Sequence, residues 1–236
     1  MDSYRFAGVT VNMEPRYDVL RERSEKYKTG FTDNPDFTAV LSDEALAKNA
    51  KRDLLTPESS EYYWTGCAVS GKLLEFGVLV IHASAVVLDG EAYLFVADSG
   101  VGKSTHTALW LEHFGDRAYI INDDKPAVKS EDGTFYVYGT PFSGESEINV
   151  NARAPLKAVC LLERGTTNVI RKMTVREAIF PLMNQVVRTK KEGRLDCLVT
   201  LLDKLFLNIP VYFMQCDISR EAVETAYAAM CRNGAE

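Results

Sequence analysis

The segment Ala97-Asp98-Ser99-Gly100-Val101-Gly102-Lys103-Ser104 combines residue types that together can hold a phosphate chain. It fits the pattern of a small residue, four spacers, Gly, Lys and Ser/Thr, with Ala97 where a first glycine usually stands. Gly100 and Gly102 would let main-chain N–H groups converge on phosphate oxygens without side-chain interference. A helix beginning near Ser104 adds the positive end of its dipole. Lys103 brings a mobile charge to the outer phosphates, Ser104 offers a hydroxyl to magnesium, and Thr105 completes the segment. The plainer reading of these residues is a Gly-rich turn from strand to helix.

A second constellation lies downstream. Ile120-Ile121-Asn122-Asp123-Asp124 ends an apolar strand in two adjacent carboxylates. A carboxylate at such a strand tip can hold magnesium or take a proton from an attacking hydroxyl. Two neighbours, one raised in pKa by the other, can divide metal and base duties. Before Lys125-Pro126 the same pair also reads as a solvated turn. His82, in Ile81-His82-Ala83-Ser84-Ala85, sits on an apolar run entering a hairpin, where a satisfied core histidine is the ordinary outcome. His106 and His113 read as packing or surface residues of a helix, with His106 close enough to the loop to keep in reserve.

The elements that must position these groups follow from patterning. Residues 6–13 and 37–41 alternate weakly as strands, Ser42-Asp43-Glu44 caps a helix through Lys51, and residues 59–74 look helical. Val78–Leu88 and Ala92–Ala97 are apolar runs joined by Asp89-Gly90, a hairpin turn signal. A helix over 104–114, a strand over 118–121 and further strands at 135–138 and 158–162 follow. Thr174 with Glu177 forms a capping box, and a helix over 195–207, a strand over 211–215 and a Ser219-capped helix over 217–231 close the chain. This alternation predicts a mixed α/β fold, a central sheet with flanking helices. Residues 1–75 read as an N-terminal subdomain or sheet extension and 76–236 as the domain bearing the loop, or the two as one continuous domain.

Composition narrows the partners. In 236 residues, 27 Lys and Arg face 33 Asp and Glu, a net charge of −6, which argues against a nucleic-acid-gripping surface. The longest apolar stretch, Phe76–Ile81, falls far short of the roughly 20 residues a membrane helix needs. Met1-Asp2-Ser3-Tyr4-Arg5 shows no secretory pattern, and the five cysteines (67, 160, 197, 216 and 231) lie far apart without a CxxC pair. The expectation is a soluble cytoplasmic protein with neither nucleic acid nor membrane as partner and no zinc site; a homo-oligomer is left open.

The run from His82 through Asp89-Gly90, the phosphate-type loop and Asp123-Asp124 resembles the catalytic domain of HPr kinase/phosphorylase, a fold related to ATP-dependent phosphoenolpyruvate carboxykinase. The resemblance implies a P-loop on a mixed sheet, with ATP and Mg2+ as cofactors. Transfer would go to a Ser or Thr hydroxyl of a protein or peptide. It implies Lys103 on the phosphates, Ser104 on magnesium, Asp124 as base, and His82 orienting or tuning Asp124. The chain departs from the family at Thr105, where a Glu is usual, and it lacks the family's Glu-x-Arg-Gly-x-Gly segment. Gly139-Thr140-Pro141-Phe142-Ser143-Gly144-Glu145 stands in its place and resembles shorter HPr-kinase-like proteins, some encoded with peptide-modifying enzymes. There Glu145 or Glu147 would join Asp123 and Ser104 around the metal, or the segment is a surface loop. Arg188, Lys190, Lys191 and Arg194, with Arg153 and Arg171 behind them, are candidate cations for the transferring group or simply solvated charges. An ATP- and magnesium-dependent hydroxyl kinase is the leading expectation. A small-molecule kinase and a non-catalytic nucleotide-binding regulatory module stand as alternatives.

Overall fold

Strands that are apolar on both faces must be covered on both sides. A computed structural model, which describes residues 1–187 and 194–231, shows how that is met. The N-terminal part comprises β1 (Asp2–Phe6), β2 (Val9–Met13), α1 (Asp18–Glu25), β3 (Phe37–Ala39), α2 (Asp43–Asp53) and α3 (Pro57–Leu73). Then come β4 (Val78–Val80), β5 (Ala83–Leu88), β6 (Glu91–Val96), α4 (Lys103–Phe114), β7 (Ala118–Asn122), β8 (Ala127–Glu131), β9 (Thr134–Tyr138) and β10 (Arg153–Arg164). The chain closes with β11 (Val169–Lys172), α5 (Val175–Gln185), α6 (Arg194–Asn208), β12 (Val211–Cys216) and α7 (Arg220–Cys231). The result is a mixed α/β architecture with a curled sheet and flanking helices.

The nine-stranded sheet runs β4-β8-β9-β10-β6-β5-β7, with β12 on β10 and β11 on β12. It curls because β10 serves two neighbourhoods. Its first residues pair antiparallel with β9, while the rest pair parallel with β6 on one side and β12 on the other. Alternate residues of β6 then divide between two cores. Ala92, Leu94 and Val96 pack with Leu182, Leu202 and Leu205 of α5 and α6, whereas Tyr93 and Phe95 pack with Trp110 of α4 and Val223 of α7. A third core joins the separate sheet β1-β2-β3 to Val78, Val80, Ala127 and Tyr138 on the outer face of β4, β8 and β9.

Local chemistry accounts for most element ends. Ser42 and Thr56 cap α2 and α3 by accepting from Ala45 and Ser59 amides, and the Thr174–Glu177 capping box opens α5. Asp89-Gly90 turns the β5–β6 hairpin with both residues at positive φ, and Asp132-Gly133 does the same between β8 and β9. Two expectations need correction. Val78–Leu88 is not one strand: it breaks at Ile81-His82, so β4 and β5 lie in different regions of the curled sheet, and His82 sits at the bend. The N-terminal region also carries α1, whose short, mostly polar face gave no periodic apolar signal. All five cysteines are free thiols, and among the described residues no helix is long and apolar enough to cross a membrane.

His106 belongs to the core rather than the surface. It is 3% exposed, and its Nε2 accepts from Trp110 Nε1 at 3.2 Å. Burial lowers its pKa from 6.5 to about 4. The folded state therefore binds this proton less readily than the unfolded chain. The associated stability is complete above pH 6.5 and fades as pH falls towards 4, an effect of about 3 kcal/mol. Urea unfolding should show His106→Gln to be the less stable protein at pH 7, with the gap to the native chain narrowing at pH 4.5.

Candidate active site

The bends β4–β5 and β7–β8 lie side by side because main-chain pairing continues through both. Ile81 N–H donates to Pro126 O at 3.1 Å and Ala83 N–H to Asp124 O at 3.0 Å. This places His82 against Asp124, with Nε2 at 3.3 Å from Oδ1. The His82 amide donates to Gln185 O at 2.7 Å, and its ring Nδ1 lies 3.0 Å from Gln185 Oε1. Gln185 in turn donates from Nε2 to Asp98 Oδ1 at 2.7 Å. That bond orients the amide, so Oε1 faces the histidine and Nδ1 must carry the proton. In neutral His82 the Nε2 lone pair then points at the Asp124 carboxylate. Burial first, then the Lys103 and Lys125 charges, lowers the His82 pKa, opposed by Gln185 and Asp124. The balance favours the neutral ring.

Asp124 is held from several directions. Asn122 Oδ1 accepts from the amides of Asp124 at 3.1 Å and Lys125 at 2.8 Å, an Asx-type turn that shapes the bend. Lys125 Nζ bonds Asp124 Oδ2 at 2.7 Å. Gly144 crosses the other side at φ +63°, where an added Cβ would stand 3.0 Å from Asp124 Cβ. Asp123 points inward: it is 7% exposed, and its Oδ1 finds no hydrogen-bond partner among the described residues. A buried carboxylate oxygen without a donor has the character of a ligand for a hard cation.

The loop between β6 and α4 uses its glycines as their types require. Gly100 has φ +78° and Gly102, at the start of α4, has φ +120°. Lys103 is nearly buried and donates to Ala97 O at 2.8 Å and Asp98 O at 3.3 Å. Burial lowers its pKa, while the charges of Asp124, Asp123 and Asp98 act the other way. Ser104 and Thr105 are exposed on the first turn of α4. Ser99 forms the turn with Gly100, and Val101 N–H donates to Asp98 O at 3.3 Å. Lys103, Asp98, His82, Asp123 and Asp124 thus share one corner of the molecule.

Other candidates are placed differently. Glu145 is exposed on a single 3-10 turn, Gly144–Ser146, and Glu147 pairs with Arg23 at 2.9 Å. Among the described residues no three His, Cys, Asp or Glu side chains gather as a metal site. Arg153 pairs with Glu131 and covers the Tyr136 ring, and Arg171 pairs with Glu177 at 2.9 Å. His113 packs edge-on against Phe114. Arg188, Lys190 and Lys191 lie outside the described residues, and Arg194 enters only as the first residue of the α6 backbone.

Several contributors carry no motif. Gln185 links His82 to the loop, and Arg164, ending β10, donates to Gly100 O at 2.6 Å and Val101 O at 3.0 Å. The N-terminal part braces the segment crossing Asp124. Arg23 donates to Gly144 O at 2.6 Å, and Tyr62 OH accepts from Ser143 N–H at 2.7 Å. The loop from Ala97 to Thr105, the acidic pair at the β7 tip and His82 were visible in the sequence; Gln185, Arg164, Arg23 and Tyr62 come from distant sequence without any local pattern.

No protein-family model matches the chain, and no curated protein matches it in sequence. Among solved structures it is similar to the HPr(Ser) kinase/phosphatase from Coxiella burnetii, at 13% identity and a TM-score of 0.38. That alignment covers 65% of this chain and 94% of the other. The likeness is loose, and the functional reading below rests on the corner's own geometry.

Two measurements check that geometry. By NMR titration, His82 should have a pKa below the ordinary histidine value, falling further in Asp124→Asn and rising in Lys125→Met. Gly144→Ala should cost about 1–2 kcal/mol in urea unfolding, because an L side chain is strained at that φ and presses on Asp124.

Proposed function

We propose that the protein transfers a phosphoryl group from a nucleotide, ATP by preference, to a hydroxyl, with Asp124 as base. The observation that carries this reading is His82 Nε2 at 3.3 Å from Asp124 Oδ1, beside Lys103 and the glycine-bearing loop. The acceptor oxygen bonds the terminal phosphorus as the bond to its bridging oxygen breaks. The hydroxyl proton passes to the Asp124–His82 pair, and the nucleoside diphosphate leaves. Amides between Ala97 and Thr105 hold the phosphates, and Lys103 exchanges its bonds to Ala97 and Asp98 carbonyls for phosphate oxygens. Asp123 Oδ1 and Ser104 would hold Mg2+, with Glu145 as an outer candidate, and a bound ion would supply neutralisation of charge on the phosphates. The Asp124 side chain is 22% exposed, in keeping with a Ser or Thr acceptor presented from outside by a protein or peptide.

The test is incubation with γ-labelled ATP, Mg2+ and source lysate, followed by mass identification of the labelled product. Asp124→Asn should reduce transfer by about 10²–10⁴-fold and leave nucleotide affinity intact. Lys103→Ala should instead lose the nucleotide. Normal transfer by Asp124→Asn would remove the base assignment, and no labelled product from the native protein would remove the kinase reading.

A further inference from the structure

Away from the phosphate-type loop, a cavity of about 340 Å³ lies between the β1–β2 hairpin, residues 27–29 and the strands β9 and β10. Its charged lining is Arg5, Lys28 and Arg153, with no carboxylate among the described residues. The two cavities that border the loop carry acids instead, Glu163 and Asp217 in one and Asp98, Glu163 and Glu177 in the other. A chain of net charge −6 thus lines this cavity with cations alone. Charge of one sign in a concave wall focuses the field and draws in the opposite sign. The buried rings of Phe6, Tyr27 and Tyr138 back the cavity and give the methylenes of an acidic side chain an apolar surface to rest on.

These cations hold donors in reserve. Arg5 is exposed, and its side chain has no hydrogen bond, ion pair or ring contact among the described residues. Lys28 gives Asp2 one bond, at 3.0 Å, from an ammonium group with three hydrogens. Arg153 spends a single nitrogen, Nη1, on both Glu131 and the Tyr138 hydroxyl, which leaves the rest of its fork free to donate. Lys129 adds positive potential beneath the hairpin turn, where its Nζ donates to Ala7 O at 3.1 Å. The cavity also adjoins the wall of the catalytic corner. Asn151 lines it and donates to Lys26 O at 2.8 Å, while Lys26 Nζ donates to Asn149 O at 2.8 Å. Just upstream, Ile148 O accepts from the Asp123 amide at 3.1 Å. The chain from Ile148 to Asn151 spans at most about 11 Å, so a short peptide can occupy the cavity and still reach Asp124.

We infer that this cavity docks an acidic peptide segment, seating Asp or Glu side chains on Arg5, Lys28 and Arg153. As a statement about the acceptor it rests on the reading of Asp124 as base: the acceptor carries carboxylates apart from the hydroxyl that reacts. Fluorescence anisotropy of labelled hexaglutamate at low salt tests the docking without any transfer, with labelled hexalysine as the comparison. The native protein should bind hexaglutamate and not hexalysine, and added salt should weaken the complex. Arg5→Glu, at a side chain that holds nothing in the fold, should weaken it about fivefold or more. Arg220→Glu, the same change on the exposed face of α7, should leave it unaltered. No binding of hexaglutamate, unchanged binding in Arg5→Glu, or an equal loss in Arg220→Glu would overturn the site. So would displacement of hexaglutamate by Mg-ATP, which would put the peptide on the loop. In transfer assays a serine peptide with a glutamate tail should show a KM about fivefold or more below that of its glutamine-tailed counterpart, and Arg5→Glu should erase the difference. Equal KM values for the two peptides in the native protein would overturn docking of the acceptor. Hexaglutamate binding as described, with transfer to neither peptide, would remove the kinase reading and leave the docking site standing.

Discussion

Two bends held together by main-chain hydrogen bonds govern the rest of this molecule. Where the sheet curls, Ile81 and Ala83 pair with Pro126 and Asp124, so the chain changes direction twice without losing its ladder. Buried amides and carbonyls at such a corner would otherwise be costly to leave unpaired. The consequence is chemical. An imidazole from one bend and a carboxylate from the other are brought side by side on backbone that is hydrogen-bonded across both bends. The apolar faces of β4, β5, β7 and β8 then lock the corner between cores.

Around that corner, charge is arranged so that no single group is isolated. Lys103 and Lys125 both act on His82 and favour its neutral form, while Asp98, Asp123 and Asp124 favour the protonated state of Lys103. Gln185 is the mechanical link between the two halves, since one amide group bonds the histidine with its oxygen and the loop with its nitrogen. The N-terminal sheet and helices reach the same place from the far side, through Arg23 and Tyr62 on the segment that crosses Asp124. A region with no motif of its own thereby sets the shape of the corner's outer wall.

Much of the architecture was legible because its signals are local. Caps at Ser42, Thr174 and Ser219 and the Asp89-Gly90 turn each satisfy nearby backbone groups, so neighbouring residues suffice to read them. The break at Ile81-His82 was not legible. Its residues continue an apolar run, and only pairing of β4 with β8 and of β5 with β6 and β7 divides it. Strand β8 was missed beside a readable Asp132-Gly133 turn because Lys129, Ser130 and Glu131 are polar at its half-buried end. Strand β11 is short and mostly exposed, which leaves little apolar pattern to detect.

What the sequence alone determined is the inventory: a glycine-lysine-serine loop between a strand and a helix, an acidic pair at a strand tip, and an upstream histidine. Those depend on residue types whose backbone freedom or charge is intrinsic. What only the tertiary structure decided is adjacency. The distance from His82 to Asp124, the burial of Asp123 and the bond from Gln185 to Asp98 arise because β10 serves two parts of one curled sheet. Curvature of that kind depends on contacts between strands far apart in the chain, and no local pattern encodes it.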